Sequence, residues 1–164
     1  MERAALSHGF GPFYDENSRV LILGSFPSVK SREAQFYYGH PQNRFWRVLA
    51  GVFGGDVPST TDEKRGFLKK NRIALYDVIE SCSIIGSADS TIEDVVVTDL
   101  APILAAADIG ARIFTNGAAA YGLYMKYTFP KTGVEAVKLP STSPANAAYS
   151  LQRLTEIWKE RLEL

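Results

Sequence analysis

Carboxamide, hydroxyl and aromatic side chains are concentrated in a few short stretches of the chain. They are GSFPS at 24–28 with YYGHPQNRFW at 37–46, then TNG at 115–117, and finally STSPAN at 141–146. Aromatic rings can stack on a planar base, while amides and hydroxyls can bind its polar edge. Hydroxyl-rich turns and helix N-termini can also hold phosphates. Neither GxGxxG nor GxxxxGK[ST] occurs in the sequence, which argues against a dinucleotide fold and against a P-loop.

Four apolar runs predict the strands that would hold these stretches in place. They are RVLILGS at 19–25, RIALYDVI at 72–79, ARIFTNG at 111–117 and VEAVKLPS at 134–141. Continuous apolar runs of this kind are typical of buried parallel strands. Because ligands bind beyond the carboxyl ends of such strands, we expect the polar stretches that follow them to meet at one face of the sheet.

Helical patterns lie between and after these strands, at 45–53, 60–71, 98–107 and 148–164. Thr60 is predicted to cap the second helix, and Pro102 lies near the first turn of the third, which opens with a capping residue. The last helix carries an apolar stripe formed by Leu151, Leu154, Ile157, Trp158 and Leu162. Strands that alternate with helices predict an α/β protein, a three-layer α/β/α sandwich around a short, mainly parallel, four-stranded sheet. We expect residues 1–164 to form a single domain.

Composition narrows the classes of function and of partner. Lys plus Arg and Asp plus Glu both number 18, so the dominant basic field of a non-specific nucleic-acid binder is missing. Cys82 is the only cysteine, and the only histidines are His8 and His40, so we expect no disulfide and no metal site. No organic cofactor is implied either. The opening MERAALSHGF does not resemble a secretory signal, and no apolar run approaches the ~20 residues of a membrane helix. We therefore expect a cytoplasmic protein, a monomer without membrane contact.

Three motifs, in this order, resemble those of the uracil-DNA glycosylase superfamily: LGSFPS, GHPQNRFWRVL and LPSTSPANA. The resemblance spans residues 20–158, and the middle motif is similar to the HPxNRFWK segment of the mismatch-specific uracil/thymine branch. In that branch the first motif reads GINPG, and its Asn positions the attacking water. Phe26 occupies this slot here and can neither orient nor deprotonate water. The hypoxanthine-DNA glycosylase branch resembles the chain better, because it also lacks the first Asn and relies on the Asn of HPxNRFW, which is Asn43 here.

This resemblance implies a monofunctional DNA glycosylase of base-excision repair that releases hypoxanthine from deoxyinosine, with damaged DNA as its partner and the deaminated base flipped out of the duplex. Asn43 is the implied catalytic residue, through amide contacts to the base, to the water or to both. Capping of the helix that follows is the alternative role for this residue. The implied base-binding residues are Gly24, Ser25, Phe26, Tyr38, His40 and Asn116. The implied DNA-binding residues are Ser141, Thr142, Ser143, Pro144, Ala145 and Asn146.

Several assignments have alternatives at this point. Tyr38 is either the ring that stacks on the flipped base or an ordinary tyrosine of the core or rim, and His40 either contacts the ligand or makes a structural hydrogen bond. The resemblance places Ala145 where relatives insert a bulkier wedge, so we expect mispaired or single-stranded lesions to be preferred. Asp77, Glu80 and Asp89 could act as general bases, although surface or capping acids are commoner.

Other functions also fit parts of the sequence. One is a glycosylase that prefers uracil or accepts many deaminated bases. Another, of a different class, is a catalytically silent module that binds nucleotides or DNA, which Phe26 and the missing basic field favour. A third is a small hydrolase that acts on free inosine.

Overall fold

The computed structural model describes residues 2–85 and 88–162, and the strands within these ranges form two sheets. The strands are β1 (Arg3–Ser7), β2 (Val20–Gly24), β3 (Ile73–Asp77), β4 (Ile79–Ile85), β5 (Glu93–Val97), β6 (Ile113–Asn116) and β7 (Val137–Leu139). The α-helices are α1 (Val29–Ala34), α2 (Phe45–Phe53), α3 (Thr61–Lys70), α4 (Ala101–Ala106), α5 (Ala118–Leu123), α6 (Phe129–Thr132) and α7 (Leu151–Leu162). A 3₁₀ turn lies at Asp89–Thr91, and a π-helical segment at Tyr124–Thr128 joins α5 to α6.

The larger sheet is parallel and has the strand order β3-β2-β6-β7. Its register places Leu23 of β2 beside Tyr76 of β3 on one side and Thr115 of β6 on the other. Leu21, Ile22 and Leu23 have no exposed surface, as the continuous apolar run of β2 requires. The four strands predicted from the apolar runs are thus β2, β3, β6 and β7, and they form the expected four-stranded parallel sheet.

Helices flank this sheet, which confirms the predicted layered α/β architecture. Phe45 of α2 packs against Trp158 of α7 with ring centroids 5.9 Å apart and nearly perpendicular planes. The Trp158 indole N–H also donates to the carbonyl of Pro140 at 2.8 Å, which fixes α7 to the residue that follows β7. The predicted stripe of α7 is buried except for Leu151, which opens the helix and remains 38% exposed.

Helix α3 begins with the predicted cap. The Thr60 hydroxyl accepts from the Glu63 amide at 3.1 Å, and the Glu63 carboxylate accepts from the Thr60 amide at 3.1 Å. This reciprocal pair satisfies amides that the first turn of a helix leaves without partners. Local sequence signals thus predict the start of α3 correctly.

Pro102 lies in the first turn of α4, and the Asp99 carboxylate accepts from the amide of Ala101. The predicted capping residue at position 98 is wrong, because α4 begins only at Ala101 and the buried Thr98 hydroxyl donates to the carbonyl of Asp77.

The smaller sheet is antiparallel, has the order β1-β4-β5, and is absent from the sequence-based prediction. The predicted strand at 72–79 instead ends at Asp77, and after Val78 the chain enters β4 of the second sheet. The turn is held by the amides of Val78 and Ile79, which donate to the carbonyls of Gly24 and Ser25. Strand β1 pairs with β4, and this pairing brings the N-terminal segment beside the parallel sheet.

No helix within the described ranges is long and apolar enough to cross a membrane.

Candidate active site

A cavity of about 430 Å³ opens at the carboxyl ends of the parallel strands. Gly24, Asp77 and Asn116 are the last residues of β2, β3 and β6, and all line it. The cavity is lined by Asn43, by every predicted base-binding residue (Gly24, Ser25, Phe26, Tyr38, His40, Asn116) and by Ser141, Thr142, Ser143 and Pro144. Ala145 and Asn146 lie instead on an adjoining cavity of about 460 Å³ that shares Asn116, Ser141 and Ser143. Residues that are distant in the sequence therefore meet at one place.

In the side chain of Asn43, Oδ1 is hydrogen-bonded to the protein and Nδ2 remains available to a ligand. Its Oδ1 accepts from the Phe45 amide at 3.0 Å and from the Thr142 hydroxyl at 2.7 Å. No hydrogen bond from its Nδ2 is present within the described residues, and the half-buried side chain lines the cavity. Capping and ligand contact therefore do not exclude each other: the carbonyl satisfies an amide at the start of α2, while the NH₂ group remains for a ligand.

Thr142 connects Asn43 to the second amide of the site, Asn116. Its hydroxyl donates to Asn43 Oδ1 and accepts from Asn116 Nδ2 at 3.0 Å. The backbone amide of Thr142 donates to Asn116 Oδ1, also at 3.0 Å, so the Asn116 side chain is held at both ends. Thr142 itself is completely buried. We therefore assign it a positioning role beneath the loop that carries it, rather than the direct DNA contact implied by the sequence.

Replacing Thr142 with valine tests this positioning role. Valine keeps the shape of threonine but removes the hydroxyl, so Asn43 Oδ1 loses a donor and Asn116 Nδ2 loses its acceptor. We expect the base release that the sequence motifs imply to slow about tenfold, because the substitution removes two hydrogen bonds, each worth about 0.5–1.5 kcal/mol net. Single-turnover assays on inosine-containing DNA measure the effect. The Thr142→Ser control restores the hydroxyl, and equal rates for valine and wild type would refute the positioning role.

Arg44 fastens the loop at 141–149 to the start of α2. Its guanidinium donates to the carbonyls of Asn146 (2.9 Å), Ser143 (3.4 Å) and Tyr149. The side-chain Nδ2 of Asn146 adds a hydrogen bond of 2.9 Å to the carbonyl of Ser141 inside the loop. Sequence reasoning assigned no role to Arg44, although its position directly after Asn43 in the middle motif was the available signal.

Tyr38 forms part of the cavity wall with one ring face already covered. Its ring lies on that of Phe45, with centroids 3.8 Å apart and planes 17° apart. Burial, and then the charge of Asp77, raise the pKa of the Tyr38 hydroxyl well above its usual range, while an interaction with Asn116 opposes the shift. Tyr38 therefore stays a neutral phenol at ordinary pH, and only its remaining ring face can meet a flat ligand.

Phe26 and His40 complete the rim of the cavity. The Arg32 guanidinium lies 5.6 Å from the centroid of the half-buried Phe26 ring. His40 Nδ1 accepts from the amide of Gln42 at 3.1 Å, so this histidine makes a structural hydrogen bond while it also lines the cavity. Both alternatives that the sequence left open for His40 are thus compatible with its position.

A buried hydrogen-bonded pair, His8 and Asp77, lies at the inner end of the cavity. His8 Nε2 is 2.7 Å from Asp77 Oδ2, and the two side chains are only 1% and 5% exposed. His8 Nδ1 is buried and has no hydrogen-bond partner among the described residues. Because an ionised carboxylate can only accept, the contact with Asp77 Oδ2 fits the tautomer that carries its hydrogen on Nε2.

Gly24 leaves room for Asp77 at this end of the cavity. The two residues are neighbours in the sheet, and a Cβ atom on Gly24 would collide with Asp77 Oδ1 and lie 3.1 Å from the Tyr38 hydroxyl. Of the acids that the sequence offered as general bases, Asp77 lines the cavity. Glu80 is exposed and accepts from the Tyr76 hydroxyl, and the side chain of Asp89 lies outside the described part of the chain.

No group of His, Cys, Asp or Glu side chains that could hold a metal ion occurs within residues 2–85 and 88–162. The described residues that line the cavity offer amides, hydroxyls, a carboxylate, aromatic rings, the His40 imidazole and the Lys30 ammonium group.

Comparisons with known proteins show which family this chain belongs to and which proteins it is similar to. A family model described as the uracil DNA glycosylase superfamily matches residues 12–161. A protein of Methanosarcina acetivorans named hypoxanthine DNA glycosylase is 38% identical over 152 residues, which cover 92% of this chain and 95% of the relative. A protein of the same name from Methanosarcina barkeri is 41% identical over 103 residues, covering 58% of this chain and 65% of the relative. The solution NMR structure of a proposed uracil DNA glycosylase from Methanosarcina acetivorans superimposes with a TM-score of 0.74 at 35% identity, covering 95% of this chain and 98% of that one.

Proposed function

The chain belongs to the uracil DNA glycosylase superfamily, and from that membership we propose that it is a monofunctional DNA glycosylase for deaminated bases, with hypoxanthine as its main substrate. The observation that carries the proposal is the Asn43 amide, whose Nδ2 is left open on a cavity with aromatic walls at the carboxyl ends of the parallel strands. A volume of about 430 Å³ lies within the usual range of about 300–1,000 Å³ for small-molecule sites.

Asn43 would act on the departing base as a donor. In the proposed reaction water attacks C1′ of the deoxyribose, the bond from C1′ to the base nitrogen breaks, and its electron pair leaves with the base. The base then takes up a proton while the sugar becomes an abasic site. Negative charge grows on the base during this step, and a donor fixed in advance stabilises that charge in the transition state. Because Asn43 Oδ1 is already engaged, Nδ2 is the atom assigned to this contact.

The loop at 141–146 is proposed to meet the DNA backbone while the flipped base enters the cavity. Ser141, Ser143 and Pro144 line the cavity, whereas Ala145 is exposed beside the adjoining one. The remaining face of Tyr38, together with Phe26, would flank the base. Action on DNA implies an intracellular, DNA-associated protein, and we propose that one copy of this single domain suffices, without metal or cofactor.

Release of the base from DNA tests the proposal directly. A labelled duplex with one deoxyinosine is incubated with the protein, and free hypoxanthine and alkali-labile strand breaks are measured. We expect both to appear in equal amounts. Parallel uracil and xanthine substrates measure the breadth of specificity. Binding to damaged DNA without any release would favour the silent module, and hydrolysis of free inosine alone would favour the nucleoside hydrolase.

The small side chain of Ala145 predicts a dependence on base pairing. A methyl group fills a vacated stack poorly, and unstacking a paired base costs a few kcal/mol. We expect release from single-stranded deoxyinosine to be about tenfold or more faster than from deoxyinosine paired with cytosine. An Ala145→Leu variant should narrow this ratio, whereas Leu at the exposed Ala148 should leave it unchanged. Equal rates on both wild-type substrates would contradict the prediction.

A further inference from the structure

The backbone of Tyr38 adopts a conformation that residues with a side chain seldom take. Its φ angle is +52°, in the left-handed region, where a bulky residue is an outlier. Such strained conformations persist only where the surrounding structure holds them, and they are concentrated at functional sites. Because Tyr38 forms part of the cavity wall, the residues that hold it in this conformation also bear on the site.

Ser31 of α1 holds the residue that follows Tyr38. Its Oγ accepts from the Gly39 amide at 3.0 Å and from the Ser28 hydroxyl at 3.1 Å, and the residue is only 2% exposed. Gly39 lies directly against α1, because a Cβ atom on it would come within 3.2 Å of the Lys30 carbonyl oxygen and 3.4 Å of Ser31 Cα. The helix that follows the first motif is thus fixed to the middle motif by a short buried contact.

Trp46 of α2 holds the same segment through its indole N–H. This donor lies 3.3 Å from the carbonyl oxygens of both Tyr37 and Tyr38, so that one hydrogen is shared between two acceptors. The buried indole is itself packed against the rings of Phe36 and Phe45, at centroid distances of 6.3 and 5.0 Å. The donor therefore has a fixed position relative to α2.

These contacts determine where the Tyr38 ring lies. The direction in which a side chain leaves the backbone depends on the backbone angles, so a return of Tyr38 to negative φ would carry its ring off Phe45, on which it is stacked at 3.8 Å. The ring face that Tyr38 turns to the cavity would move with it. A wall that is ordered before the ligand arrives spares binding the cost of ordering it.

We propose that Ser31 and Trp46 are positioning residues, which hold the segment 37–39 in its strained conformation so that the Tyr38 ring is in place to stack on the flipped base. Both residues act on the base only through Tyr38. Stacking of a base on an aromatic ring strengthens binding by about tenfold or more, and a displaced ring would lose much of this gain. The inference rests on the proposed glycosylase function and deepens it, because it adds residues that determine how tightly the flipped base is bound.

The Ser31→Ala variant tests this role through binding to two single-stranded DNAs, in which no base has to leave a duplex. One contains 2′-fluorinated deoxyinosine, whose base stays attached because fluorine disfavours a cation-like sugar. The other contains a tetrahydrofuran analogue of the abasic site. We expect Ser31→Ala to bind the inosine DNA about tenfold more weakly than wild type and the abasic DNA equally well, because only the first DNA has a base to stack.

Ser18→Ala is the matched control. Ser18 is also only 2% exposed, its Oγ also accepts from a backbone amide at 3.0 Å, that of Asp15, and it does not line the cavity. Each alanine variant leaves one amide without its acceptor, so we expect similar falls in the midpoint of thermal unfolding. Only Ser31→Ala should change the ratio of the two DNA affinities. If it weakens binding to both DNAs by the same factor, the role of Ser31 is structural and the inference is wrong.

Trp46→Phe provides a second, independent variant. Phenylalanine keeps an aromatic ring beside Phe36 and Phe45 but has no N–H for the two carbonyls. We expect the same selective loss of affinity for the inosine DNA, by about fivefold to tenfold. A variant that keeps the wild-type ratio of affinities removes its residue from the proposal. If wild type releases no hypoxanthine from DNA, the proposed function fails; if wild type is active and both variants keep the ratio, only this inference fails.

Discussion

Replacing Asn43 with alanine is expected to lower the rate of hypoxanthine release by a factor of about 10²–10³. A fixed donor stabilises the charge that develops on the base in the transition state, and loss of one such donor typically slows a reaction by this factor. The rate is measured under single-turnover conditions with deoxyinosine in single-stranded DNA, so that base flipping does not limit it. The control is Gln42→Ala, which removes the exposed neighbouring carboxamide and should retain full activity.

The alanine variant also loses a cap, because Asn43 Oδ1 accepts from the Phe45 amide. That loss costs about 1 kcal/mol of folding free energy and must be separated from the effect on the reaction. The Asn43→Asp variant makes the separation. Its carboxylate keeps both acceptor contacts and favours the start of a helix, but it has no NH₂ group and would repel the departing base. We expect Asn43→Asp to fold as stably as wild type and to be at least as impaired as Asn43→Ala. An active aspartate variant would instead assign Asn43 to the water, as an acceptor.

Replacing Arg44 with alanine is expected to raise the KM for DNA by about tenfold to hundredfold and to lower the free energy of unfolding by about 1.5–3 kcal/mol. The guanidinium is half-buried and donates to the carbonyls of Asn146, Ser143 and Tyr149. Without it these carbonyls lose a charged donor, and the loop proposed to bind DNA loses its fixed position.

Arg47 provides the matched control for this variant. It lies one turn further along α2 and is exposed, so Arg47→Ala makes the same change of net charge without touching the loop. Limited proteolysis should cleave Arg44→Ala within residues 141–149 while sparing Arg47→Ala. If both variants raise the KM equally, the effect is one of long-range charge attraction and the loop does not depend on Arg44.

The central sheet was predictable because its signals are local. Each of the four parallel strands is a short apolar run that ends in polar or turn-forming residues, and such runs suit strands that are buried on both faces. The capping box at Thr60 and Glu63 is likewise contained within four residues. Parallel strands share one carboxyl edge. The strands alone therefore predict that Gly24, Asn116 and the loop after β7 lie together at that edge.

The roles of individual side chains at this edge of the sheet were less predictable. The sequence offered Thr142 for contact with DNA, but the structure buries it between two amides. For Asn43 the sequence presented capping and ligand contact as alternatives. The structure allows both, because Oδ1 accepts from the Phe45 amide while Nδ2 remains for a ligand. Which atom of a side chain is engaged depends on neighbours about a hundred residues away, and spacing along the chain does not specify them.

The sequence by itself determined the parallel sheet, the edge where polar residues collect, and the motifs that mark the superfamily. Only the tertiary structure decided that the antiparallel sheet forms and that β1 carries the N-terminal segment, and with it His8, to Asp77, 69 residues away. The physical reason is that strand β4 mixes polar and apolar residues and is stabilised by pairing with distant partners rather than by its own pattern. A buried carboxylate and a buried imidazole that satisfy each other leave no local trace in a sequence, because each is stable there only when the other is present.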